Sequence, residues 1–139
     1  MQKTKLIPEL KVLNFKRNLA FYVQLANFEI LYDRPEEQFA MLNREGAQIM
    51  IEASTLTSLN WDVGILEYPF GRGMHLQIEV SNVHALHENF QNNNYPIFFP
   101  IQEKWYRKNQ KKVGHRQFLV QDPDGYLLRF FEDLGENPL

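Results

Sequence analysis

Four stretches of this chain alternate polar and apolar residues, and their polar members are of types that can do chemistry. Glu9 and Lys11 flank Leu10, with Val12 next; Gln48 and Glu52 flank Ile49 and Ile51. His75, Gln77 and Glu79 alternate with Leu76, Ile78 and Val80, and Arg129 stands between Leu128 and Phe130. Successive side chains of a strand point to opposite faces. Each stretch therefore reads as a strand with one aliphatic face for a core. The second face carries carboxylates, an imidazole, amides and a guanidinium, which can hold a small molecule by charge and hydrogen bonds. The plainer reading is a sheet face turned to solvent, as antiparallel sheets often have.

The single residues divide in the same way. His75 reads equally as a ligand-binding histidine and as a structural one paired with Glu52. Arg129 is a ligand clamp or an ion-pair partner of Glu79 or Glu9. A charge withdrawn from water needs a partner, which favours the pairing. Glu9, Glu52 and Glu79 offer negative charge, and Trp61, Phe70, Trp105 and Tyr106 offer aromatic surface for stacking. Trp105 and Tyr106 could instead cover a dimer interface; for Trp61 the interface reading leads. His84 and His87 form His-x-x-His on a helix, where a solvated face is the default. His115, at a strand start, reads either as facing a cleft or as surface, with surface the default. Arg72 between Gly71 and Gly73 invites an anion, but no strand-loop-helix phosphate motif surrounds it. No Ser-His-Asp or Cys-His arrangement and no glycine-rich nucleotide loop can be read.

The elements that position these residues follow from periodicity. A strand covers Leu6 to Leu13, and Asn14 caps a helix near 16–25 whose apolar stripe is Leu19, Tyr22, Val23 and Ala26. Strands near 28–33, 37–43 and 46–53 follow, separated by turns at Arg34-Pro35-Glu36 and Asn43-Arg44-Glu45-Gly46. After a connector comes a strand from Met74 to Val80, then a helix capped by Asn82 with Val83, Leu86 and Phe90 inward. Strands near 96–101, 115–121 and 126–132 end the chain, the last two joined by the turn Asp122-Pro123-Asp124-Gly125. Phe21, Phe28, Phe90, Phe118 and Phe130 read as core.

The order β-α-β-β-β thus occurs twice, and the halves match in residues. Val12 and Asn14 recur as Val80 and Asn82, 68 positions on; Leu19, Phe28 and Ile30 recur as Leu86, Tyr95 and Ile97, 67 positions on. The fold class is α+β, with two βαβββ modules in one domain over 1–139: module 1 at about 4–54, a connector at about 55–73, and module 2 at about 74–134.

The strand Leu6-Ile-Pro-Glu-Leu-Lys-Val-Leu-Asn14, the helix with Asn18-Leu-Ala-Phe-Tyr22, and the hairpin Phe118 to Glu132 with Asp-Pro-Asp-Gly at its turn together resemble the vicinal oxygen chelate superfamily. That group holds glyoxalases, extradiol dioxygenases, fosfomycin-resistance enzymes and bleomycin-resistance proteins. The resemblance covers nearly the whole chain and implies paired modules forming a cleft of curled sheets, commonly in a homodimer. It does not fix the chemistry.

Catalytic members hold a divalent metal on the first, fourth, fifth and eighth strands. Those positions fall here at Ile7, Met50, His75 and Arg129, with Glu52 in place of Met50 if the fourth strand shifts by two. Ile7 cannot ligate, and Arg129 is a permanent cation. At best His75 and Glu52 remain, where a catalytic metal normally has about three protein ligands. No cofactor is therefore expected, a divalent metal being the runner-up. The resemblance points to the bleomycin-resistance branch, whose members sequester a drug without metal, and Pro8 suits the exchanged first strand of that branch. The alternative is a metal-dependent lyase, isomerase or dioxygenase with an altered ligand set.

Composition limits the partners. A net charge of −2 and a pI near 6.1 give no nucleic-acid surface. The run Lys104, Arg107, Lys108, Lys111 and Lys112 reads as a solvated loop or strand end. No apolar run is long enough to span a membrane, and the N-terminus shows no signal core. Absence of cysteine excludes disulfides and thiolate metal sites and fits a cytoplasmic protein.

Overall fold

The computed structural model describes residues 3–53 and 62–139. The chain divides into two compact units. The first comprises residues 1–72 and 122–126, the second 73–121 and 127–139.

Unit 1 holds β1 (Glu9–Val12), α1 (Phe15–Ala20), β2 (Glu29–Arg34), β3 (Phe39–Arg44) and β4 (Ala47–Ala53). Its sheet has the order β1-β4-β3-β2, with β1 parallel to β4 and the other pairs antiparallel. The strand expected from Leu6 begins only after Pro8, and Leu6 is exposed. Pro8 has no N–H for a ladder, although its carbonyl still accepts from Met50 N–H at 2.8 Å. The β3–β4 turn is as read: Glu45 (φ +50°) and Gly46 (φ +96°) take the left-handed conformations of a tight hairpin.

Asn14 caps α1, its Oδ1 accepting from Arg17 N–H at 2.9 Å. The helix then widens into a π-helical turn over Phe21–Leu25. That turn shifts the buried stripe. Asn18, Phe21, Tyr22 and Ala26 are buried, whereas the expected Leu19 and Val23 are only half-buried. Asn18 comes inside because it has a polar partner there. The Asp124 carboxylate accepts from Asn18 Nδ2 (3.0 Å), from Leu13 N–H (3.0 Å) and from the Arg17 guanidinium (2.7 Å). Asp122 accepts from the Tyr22 hydroxyl (2.7 Å) and from the backbone N–H of Asp124 (2.9 Å) and Tyr126 (3.0 Å). The Asp-Pro-Asp-Gly turn is thus a polar plug in the core of unit 1. Its Gly125 has φ +97°, and a Cβ there would lie 2.5 Å from Pro69 Cα.

Unit 2 holds β5 (His75–Glu79), α2 (Val83–Asn92), β6 (Phe99–Lys108), β7 (Lys111–Gln121) and β8 (Leu127–Pro138). Its order, β5-β8-β7-β6 with β5 parallel to β8, repeats that of unit 1. Asn82 caps α2 as Asn14 caps α1, accepting from Ala85 N–H at 3.0 Å. Val83, Leu86 and Phe90 are buried, as are Ile78, Val80, Phe118, Val120, Leu128 and Phe130. The last three strands run well beyond the lengths read from sequence. The basic run is the tip of the β6–β7 hairpin, turning at Asn109 (φ +55°). Its charges are partly matched: Lys108 and Lys111 pair with Glu136 at 2.9 and 3.5 Å.

Candidate functional site

The chemistry-bearing residues gather on the non-helical face of the unit 2 sheet. Register defines that face. Gln77 of β5 stands opposite Arg129 of β8, and Glu79 opposite Phe131. On the other side Leu119 of β7 faces Arg129 and Gln117 faces Phe131. The ladder is regular from His115 to Gln121, so His115, opposite Asp133, lies on this face two residues before Gln117; it is irregular only between Val113 and His115.

The His115 ring stacks on Phe131, with centroids 4.2 Å apart at 25°, and lies 5.4 Å from the Tyr106 ring. Gln117 Nε2 donates to the Tyr106 hydroxyl at 2.8 Å, so Gln117 is locked in one orientation. Gln117 is only 3% exposed and Phe131 7%. Three polar atoms here are buried without a hydrogen-bond partner among the described residues: Arg129 Nε, His115 Nδ1 and Gln117 Oε1. Such a group costs about 1–3 kcal/mol, and all three lie on one face of one sheet, unmet by the described residues. Burial lowers the His115 pKa from 6.5, and Arg129 lowers it further against the opposing pull of Asp133 and Glu79. The imidazole is therefore held neutral beside a fixed cation.

The expected ion pair of Arg129 with Glu79 or Glu9 does not form; among the described residues Arg129 makes no ion pair. Glu79 and Glu9 are exposed. Glu52 lies in unit 1, where Lys11 Nζ holds it at 3.3 Å. His75 is exposed at the start of β5. Trp105 and Tyr106 cannot form one platform, because adjacent strand residues face opposite ways. The Trp105 indole instead lies over Gly114. Phe70 is 4% exposed and meets Tyr126 edge-on at 5.8 Å, a core residue of unit 1 with no open ring face. Trp61 lies outside the described residues. His84 is exposed, and His87 packs edge-on against Phe118 at 5.0 Å. Arg72 bonds the Tyr68 carbonyl at 2.8 Å, closing its own turn.

Gln117 and Phe131, not singled out as site residues, are the residues sequence reasoning missed; His115, for which surface was the default, lies on the face of the alternative reading. The signal was there: Phe118 and Val120 were core, so Gln117 and Leu119 had to share the face of Arg129.

A divalent metal does not fit the residues present. Ile7 and Met50 bear no suitable donor, Arg129 repels a cation, and Glu52 is engaged by Lys11. Among the described residues no group of three or more His, Asp or Glu could hold an ion.

Solved structures resemble this chain, and two of those that follow, with TM-scores above 0.6, share its architecture. TioX from Micromonospora sp. ML1 is 23% identical, with 94% of this chain and 99% of that one covered and a TM-score of 0.67. A glyoxalase/bleomycin resistance protein/dioxygenase from Alicyclobacillus acidocaldarius is 17% identical, with coverages of 93% and 90% and a TM-score of 0.61. A superfamily member from Vibrio splendidus 12B01 is 31% identical over 91% of this chain and 97% of its own, at a TM-score of 0.42. No family model and no curated protein matches the chain. The chain thus shares the fold of TioX and of the solved glyoxalase/bleomycin resistance protein/dioxygenase from Alicyclobacillus acidocaldarius.

No helix among the described residues is long and apolar enough to cross a membrane.

Proposed function

We propose that the protein is a metal-independent small-molecule binder, of the bleomycin-resistance kind in that it sequesters a drug or metabolite and makes or breaks no bond. The observation that carries this reading is the set of partnerless buried atoms on Arg129, His115 and Gln117 beside the rings of Phe131 and Tyr106. A fixed cation, a neutral imidazole and a locked amide can orient a ligand. The donor set at the superfamily's metal positions favours no Lewis-acid step. A homodimer in the cytoplasm belongs to the same reading, and sedimentation of the purified protein tests the dimer.

The deciding experiment is a thermal-shift screen of drugs and metabolites, run with and without chelator. Ligands that bind only the folded state raise Tm by mass action. The expected result is at least one saturable stabiliser, indifferent to chelator and lost in Arg129→Gln. Stoichiometric zinc, nickel, manganese or iron in the purified protein, lost in His75→Ala, would overturn the reading.

A further inference from the structure

The partnerless atoms constrain the ligand's own chemistry. Arg129 Nε–H is a donor on a permanent cation and calls for an acceptor, best an anionic one. Gln117 commits its amide N–H to Tyr106, which leaves Oε1 as an acceptor calling for a donor. Gln117 is opposite Phe131 on the neighbouring strand, so it stands diagonally from Arg129 on one face. Diagonal neighbours have Cβ atoms about 7–8 Å apart, within reach of long side chains. Both groups can therefore bond adjacent substituents of one small molecule. Phe131 is covered by the His115 ring stacked on it, and the half-buried rings of His115 and Tyr106 are the aromatic surface beside them. Lys104 Nζ lies 5.7 Å above the Tyr106 ring and adds positive charge. The nearby acids, Glu79 and Asp133, are exposed, so water already satisfies them. The buried groups needing a partner thus include a cation and no carboxylate, the reverse of what a cationic drug requires.

Building on the binding reading above, we propose that this face takes a small planar organic carboxylate with a hydrogen-bond donor beside the carboxylate group. The carboxylate meets Arg129, the adjacent donor meets Gln117 Oε1, and the ring lies along His115 and Tyr106.

Salicylate, benzamide and benzylamine are the probes, titrated into the ¹⁵N-labelled full chain with chelator present. The Arg129 Nε–H and Gln117 side-chain resonances report occupancy directly. Salicylate is expected to shift both saturably, benzamide to bind about tenfold more weakly, and benzylamine to shift neither. Arg129→Gln is expected to abolish the salicylate response. Should that variant not fold, Arg129→Lys keeps the charge but loses Nε–H, and is expected to weaken salicylate about tenfold. Benzylamine shifting the same resonances as strongly as salicylate would overturn the carboxylate class and leave the binding reading intact. Silence from all three probes would also overturn the class. A thermal-shift panel without any saturable stabiliser would bring down the binding reading itself.

Discussion

The Tyr22 hydroxyl donates a 2.7 Å hydrogen bond to the Asp122 carboxylate, 100 positions further along the chain. Burial raises the Asp122 pKa from 3.8 to about 6; the bonds from Tyr22, Asp124 and Tyr126 offset only part of that cost. The folded state therefore binds a proton more tightly than the unfolded chain. Asp122 contributes stability that is full below about pH 4 and lost as pH rises through about 6. The shift corresponds to about 3 kcal/mol. Asp122→Asn keeps an acceptor for the two backbone N–H groups and cannot ionise. Chemical denaturation should show wild type losing ground to Asp122→Asn between pH 4 and 7. Parallel curves would mean that Asp122 does not titrate there.

Asp124 and Arg17 form an ion pair of very unequal burial: the Asp124 side chain is 1% exposed and that of Arg17 50%. Arg17 is half-exposed, so in Arg17→Ala water takes its place on the carboxylate, which keeps its bonds from Leu13 and Asn18, and the loss should be small, about 0–1 kcal/mol. Asp124→Ala strips acceptors from Leu13 N–H and Asn18 Nδ2 as well. Its expected cost is about 3–5 kcal/mol, against under about 1 kcal/mol for Arg17→Ala. Urea midpoints measure both. Equal losses would show that the charge pair, not the buried acceptor, is what matters.

Gly125 and Gly46 share a left-handed backbone but differ in surroundings. Gly46 (φ +96°) has nothing within 4 Å of a built Cβ, whereas at Gly125 that atom would meet Pro69 Cα and Cβ at 2.5 Å. Gly46→Ala should cost only the conformational penalty, about 1–2 kcal/mol. Gly125→Ala must also push backbone apart, and should cost at least about 2 kcal/mol more. Matching Tm values for the two variants would sink the distinction.

The halves of the fold are legible in the sequence because each repeats a local signal: Asn14 and Asn82 both cap helices, and strand alternation gives the buried faces around them. The polar face carrying Arg129 follows from the same alternation. What is not legible are contacts between distant residues. Nothing near Asp122 announces that its partner is Tyr22, and nothing near Asn18 explains its burial until Asp124 is seen. The Arg129 ion pair was expected from a sound rule about charges, yet Glu79 and Glu9 stay in water. His115 was legible as well: counting back by twos from Leu119 through Gln117 reaches it, and only its place at the expected start of the strand favoured the surface reading.

The field of Arg129 on His115 gives the site a measurable signature. The His115 pKa lies below 6.5, with burial the larger cause and Arg129 the next. A histidine depressed in the folded state binds fewer protons than in the unfolded chain. Its contribution to stability is therefore present above pH 6.5 and lost as pH falls below it. Arg129→Gln removes the second cause and leaves Asp133 and Glu79, both of which raise the pKa. The His115 midpoint, followed by NMR through its ring protons, should rise in Arg129→Gln. It should not fully recover 6.5, because the ring stays stacked on Phe131. A ligand carboxylate on Arg129 should raise the midpoint in wild type by the same screening. An unchanged midpoint in Arg129→Gln would show that the guanidinium does not act on this imidazole, and that the two residues do not form one site.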